Sequence, residues 1–139
     1  GLVYVVYLSG TWSSARAGAL SRRYGRGVVV LASATMMLLG ALAVAAPSLW
    51  IALAGLLVFT ASFFALHSTA SGWVGLIAER DRAEASSMYV LCYYMGSSIL
   101  GAATGWAYEG LPWAGFVAVL AALLGVLAVV SAALWRAER

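Results

Sequence analysis

Charge is what this chain lacks most. Only 9% of its 139 residues are Asp, Glu, Lys or Arg, and 64% are hydrophobic, against roughly 25% charged in an average soluble domain. So few charges cannot cover a water-soluble surface of this length, so lipid must be the solvent for most of it. Cys92 is the single cysteine, which excludes a disulfide framework and a thiolate metal cluster. Proline occurs only at Pro47 and Pro112, each in a short break between apolar runs. HExxH, GxSxG and Walker-type glycine loops are all missing, as is any cluster of His, Cys and carboxylate. No enzymatic site, cofactor site or metal site is therefore expected.

The apolar sequence is long and periodically interrupted. Gly1–Ser14 looks like the cytoplasmic end of a truncated span (about 1–15), and the first residue is Gly1 rather than methionine. Both features suggest that N-terminal helices of the same protein precede this stretch. Residues 16–26 hold Arg16, Arg22, Arg23 and Arg26 with no acid, and read as a loop. Spans follow over 27–46 and 49–72, separated by a Pro47-Ser48 reversal, since proline cannot continue a helical hydrogen-bond ladder. Residues 73–78 read as an interfacial turn and 79–84 as a charged loop. Further spans over 85–107 and 113–135 and a tail over 136–139 complete an all-α integral membrane bundle.

Orientation follows from counting. All eight basic residues are arginines and all lie in the segments 16–26, 79–84 and 136–139, while the turns at 47–48 and 108–112 carry none. Alternating spans put those three segments on one side, and the positive-inside rule makes it the cytoplasmic side, C-terminus included. The net charge of +3 is thus a matter of topology, and no nucleic-acid partner is implied.

The spans differ in kind. Residues 27–46 and 113–135 are almost wholly Ala, Leu, Val, Gly and Met, and such helices can face lipid on most sides. The two between them carry polar groups that would be costly in lipid. At about 100° per residue, Thr60, Phe64, His67 and Ser71 form one stripe. Tyr89, Tyr93, Ser97, Leu100 and Thr104 form another. A separate face carries Tyr94, Ser98, Gly101 and Gly105, and the last two make a GxxxG suited to close helix packing. His67 is the only histidine. A histidine inside a span is either a neutral packing residue bonded to a neighbouring helix, a pathway residue or a proton carrier. Tyr89 and Tyr93 are open to the same alternatives, packing or substrate contact.

Gly18-Ala-Leu20-Ser-Arg22-Arg23-Tyr-Gly25-Arg26-Gly27 resembles the loop signature of the major facilitator superfamily, roughly G-x-L-x-D-R-x-G-R-R. Gly18, Leu20, Arg23, Gly25 and Arg26 match, whereas Arg22 stands at the acidic position and Gly27 at the final basic one. The stretches 63–75 and 85–101 resemble bacterial efflux permeases of the arabinose- or drug-efflux type. The resemblance implies the end of helix 8 through helix 12 of a twelve-helix fold in a bacterial inner membrane. It also implies that helices 7, 8, 10 and 11 line a central cavity while 9 and 12 support it from outside, with alternating access driven by inward proton flow.

The chain thus reads as part of a proton-coupled exporter of small organic compounds, sugars or drugs. Its partners would be the bilayer, the substrate and the preceding helices. The pathway candidates are Thr60, Phe64, His67, Ser71, Tyr89, Tyr93 and Ser97, and those for a cytoplasmic gating loop are Gly18, Arg23, Gly25 and Arg26. The alternative from another class is a membrane scaffold or partner-binding subunit whose polar faces serve only to join helices.

Overall fold

The computed structural model describes residues 2–139, the side chains at positions 2, 3 and 5 apart. Among the described residues the chain folds into five α-helices and no strands: α1 (Leu2–Tyr24), α2 (Arg26–Val44), α3 (Leu49–Ile77), α4 (Arg82–Gly110) and α5 (Trp113–Glu138). It is an all-α membrane bundle. α2, α3 and α5 are both long and apolar enough to cross a bilayer. α4 equals α3 in length at 29 residues, but its serines, its tyrosines and Thr104 keep it out of that apolar class.

Several boundaries depart from the sequence reading, each for a local reason. The arginine-rich stretch 16–26 is not a loop. α1 continues through Arg16, Arg22 and Arg23 to Tyr24, because arginine is a good helix former and no proline interrupts the stretch. The chain turns on one residue, Gly25, at φ +91°, a conformation costly for any residue with a Cβ. Residues 73–77 are likewise helical, because no proline or polar cap stops α3 before Ala78. The reversal there occupies residues 78–81, where Glu79 takes a positive φ of 29°. At 1.5 Å per residue α3 is about 43 Å long, so it tilts or emerges from a hydrocarbon layer about 30 Å thick.

Packing centres on α2, contrary to its bland composition. Val30, Ser33, Ala34, Met37 and Gly40 are buried along one stripe, where small side chains let α3 and α5 come close. At the α2–α3 crossing, Cβ atoms added at Gly40 or Gly55 would lie 2.8 Å and 2.7 Å from the other glycine's carbonyl oxygen. By contrast, Gly101 and Gly105, expected to pack tightly, have nothing within 4 Å of their Cβ positions. α4 has no buried residue. Two hydroxyl groups on apolar helices are satisfied locally: Ser131, 1% exposed, donates to the Leu127 carbonyl at 2.7 Å, and Thr35 to that of Leu31 at 2.9 Å. This back-bonding gives each of the two donors a partner within its own helix.

Two contacts bring the arginine-bearing segments to one end of the bundle. The carboxylate of Glu138, at the end of α5, accepts the N–H groups of Arg26 (3.2 Å) and Gly27 (2.6 Å). Near the end of α1, the Ser21 hydroxyl lies 3.4 Å from that of Thr69, which is 7% exposed on the last third of α3.

Candidate functional site

α1 and α3 are held side by side by polar contacts as well as by packing. Ser13 donates to the Ala61 carbonyl at 2.7 Å, and Gly10 leaves the space that the Phe64 ring occupies. Above this seam opens a cavity of about 510 Å³ lined by Val6 and Tyr7 of α1, Tyr93 of α4, and Leu56, Phe59, Thr60, Phe63, Phe64 and His67 of α3. Its walls are mainly aromatic. Phe63 meets Phe64 edge to face at 5.5 Å, and Phe64 meets Tyr7 the same way at 6.3 Å. Such edge-to-face arrangements match ring quadrupoles and fix the rings' orientation.

His67 is the polar centre of this group. Its ring stacks on Phe63, which is one helical turn earlier, at 5.9 Å and 17° between planes. The Tyr93 ring lies 4.7 Å away. The Tyr89 hydroxyl is 3.0 Å from His67 Nδ1 and also donates to the His67 backbone carbonyl at 3.4 Å. No residue lining the cavity bears a carboxylate or guanidinium. Shape, ring faces and a few hydroxyl and imidazole groups are therefore the available means of recognising a solute there.

Of the residues singled out in the sequence, Thr60, Phe64, His67 and Tyr93 meet in this cavity, and Tyr89 joins them through His67. Ser97 lies instead in a neighbouring cavity of about 520 Å³ with Cys92, Leu100, Gly101 and Thr104 of α4 and Leu120, Leu123 and Leu124 of α5. Phe59, Phe63 and Tyr93 border both spaces and so form the partition between them. Ser71 is exposed and lines neither. Sequence reasoning missed Phe59 and Phe63, although 59, 63 and 67 are spaced four apart and share a helical face. It missed Tyr7 because contacts between α1 and α3 cannot be read from either helix alone.

The four candidates for a cytoplasmic gating loop separate by role. Gly18 and Arg23 are exposed on α1, the Arg23 guanidinium resting 5.2 Å from the centre of the Tyr24 ring. Gly25 makes the break, and Arg26 opens α2 with its N–H on Glu138.

Comparison with known proteins agrees with this architecture. The chain is 46% identical over 136 residues to the inner membrane transport protein YnfM of Escherichia coli K12, covering 98% of this chain and 33% of that protein. It is 36% identical over 124 residues to an uncharacterized transporter of Buchnera aphidicola from Schizaphis graminum, covering 89% of this chain and 30% of the relative. It is 34% identical over 122 residues to the MFS-type transporter YybF of Bacillus subtilis 168, covering 88% and 30%. The chain thus spans about a third of the length of these relatives. No family profile and no solved structure matches it. The relatives are called transporters, one of them MFS-type, the α1–α2 junction carries the signature spacing, and the fold is a bundle of long apolar helices: the chain belongs to the major facilitator superfamily.

Proposed function

We propose that the chain is the C-terminal third of a bacterial inner-membrane secondary transporter, helices 8 to 12 of twelve. On this reading it exports small organic compounds, sugars or drugs, in exchange for protons by alternating access. The observation that carries the proposal is the aromatic cavity joining Thr60, Phe64, His67 and Tyr93 at the meeting of α1, α3 and α4. Under the helix assignment these are the helices that face the central pathway. α4, with its polar stripe and no buried residue, would be covered on that face by the preceding helices of the same protein, with Gly101 and Gly105 as packing positions. α2 and α5 give support from the lipid side.

In this reading the arginine-bearing end is cytoplasmic. Gly18, Arg23, Gly25 and Arg26 form the gating junction between α1 and α2. Ser71 and Ser97 remain pathway candidates that would be reached in other conformations of the cycle. The function is tested by reconstituting the full-length transporter into liposomes and imposing a pH gradient. Movement of sugars or amphiphilic aromatic compounds against their gradient, abolished by a protonophore, supports the reading. Solute movement indifferent to the protonophore removes the coupling.

A further inference from the structure

The Tyr89 oxygen lies within hydrogen-bond reach of two groups of His67 at once, Nδ1 at 3.0 Å and the backbone carbonyl at 3.4 Å. A phenol has one hydrogen to give and lone pairs to receive, so the two contacts define two settings of one rotor. With the O–H turned to Nδ1, that nitrogen is the acceptor and the imidazole proton sits on Nε2. With the O–H turned to the carbonyl, the phenol oxygen accepts from an Nδ1–H. The second setting suits both the other neutral tautomer and the imidazolium. We propose that His67 and Tyr89 act as one proton-accepting unit, Tyr89 being the positioning residue that keeps Nδ1 hydrogen-bonded in every protonation state of the ring.

The step balances simply. Where the ring starts with its proton on Nδ1, hydronium in the cavity protonates Nε2 and leaves as water; where it starts on Nε2, the Tyr89 hydroxyl passes its proton to Nδ1, takes one from hydronium, and turns to the His67 carbonyl. No other bond is made or broken, and release reverses the sequence. Away from water such a device matters, because a buried donor or acceptor left without a partner is costly. The other titratable groups around the ring are Tyr93 of α4 and Tyr7 of α1, which share its cavity, and no carboxylate or guanidinium lines that space. A charge on His67 would therefore have the tyrosine oxygen and the Phe63 and Tyr93 rings as its stabilising contacts. The unit gives a chemical form to the proton coupling proposed above and rests on that reading.

The test is nitrogen NMR of the full-length transporter in lipid bilayers with 15N-labelled histidine, His67→Gln identifying the His67 resonances. In the wild type, Nδ1 is expected to report a hydrogen-bonded nitrogen at every pH sampled; a free Nδ1 at any pH overturns the pairing. Charge-assisted bonds are the stronger ones, so Tyr89→Phe should lower the charged-to-neutral ratio of His67 at a fixed acidic pH by about fivefold. Tyr93→Phe, which keeps the neighbouring ring, should leave that ratio within about twofold. An unchanged ratio in Tyr89→Phe, or an equal fall in Tyr93→Phe, overturns the assignment to Tyr89. Transport in the same preparations separates the two ideas. Loss of all transport activity with the Nδ1 bond present sinks only the transport reading. Coupled transport with no Nδ1 bond sinks only the pair.

Discussion

Glu138 Oε2, near the end of α5, accepts the N–H of Gly27, in the first turn of α2, at 2.6 Å. Oε1 takes the preceding N–H, that of Arg26, at 3.2 Å. The first turn of a helix leaves its N–H groups without internal partners and carries the positive end of the helix dipole. Gly25, the residue before α2, has no side chain with which to cap it. The carboxylate that does so comes from more than a hundred positions away in sequence and ties α5 to the α1–α2 junction.

Replacing Glu138 by Ala should therefore destabilise the protein by about 1 kcal/mol, the usual worth of a lost cap. Glu138→Gln, which keeps an acceptor oxygen but no charge, should lose less. Thermal unfolding of the purified protein in detergent measures both. An unaltered midpoint for the alanine variant means the contact contributes nothing to stability.

The α2–α3 crossing makes a second stability prediction. A methyl group at Gly40 or Gly55 would meet backbone atoms 2.8 Å and 2.7 Å away, and backbone cannot rotate aside. Gly40→Ala or Gly55→Ala should cost about 1–3 kcal/mol, despite alanine's better helix propensity. Gly125→Ala, where nothing lies within 4 Å, should be neutral or slightly stabilising. Equal midpoints for all three variants would show that the helices do not cross as closely as described.

These two predictions also mark what could be read in the sequence. Composition sufficed for the membrane bundle, because 64% hydrophobic residues with 9% charged leave no other solvent. Helical periodicity put Thr60, Phe64 and His67 on one face, and the structure brings them into one cavity with Tyr93. Glycine pairing was not legible. Gly101 and Gly105 have the spacing of a packing motif, yet the tight contact is made by Gly40 and Gly55, whose partnership depends on how the α2–α3 hairpin closes. Glu138 was invisible for the same reason, since a cap supplied from a distant helix leaves no local pattern. The stretch 16–26 read as a loop because its charges sit at a membrane boundary, and charge alone does not break a helix.

For the junction itself, neutralising Arg23 and Arg26 together tests gating against anchoring. The gating reading expects normal insertion and orientation with transport reduced about tenfold or more, the scale of a coupling worth roughly 1.4 kcal/mol. Protease protection reports orientation and solute flux reports function. Inverted or missing protein would assign these arginines to topology only.

His67→Gln keeps a hydrogen-bonding side chain but cannot carry the charge. Transport driven by a pH gradient should fall about tenfold or more, while exchange of solute at equal pH on both sides should persist. Unchanged flux with an unchanged pH profile in this variant removes His67 from the coupling mechanism.

The central claim, that the face joining α1, α3 and α4 lines a transport pathway, is tested most directly by thiol accessibility. Cys92 borders the adjoining cavity and must be removed first, after which cysteines are introduced singly at Thr60, Tyr93 and Ser97 in the full-length transporter. A membrane-impermeant thiol reagent should label Thr60→Cys and Tyr93→Cys, with rates that change when a transported solute is present. Gly125→Cys, on α5, should stay unreactive. If neither Thr60→Cys nor Tyr93→Cys reacts from either side of the membrane, the cavity is not a water-accessible pathway and the account is contradicted.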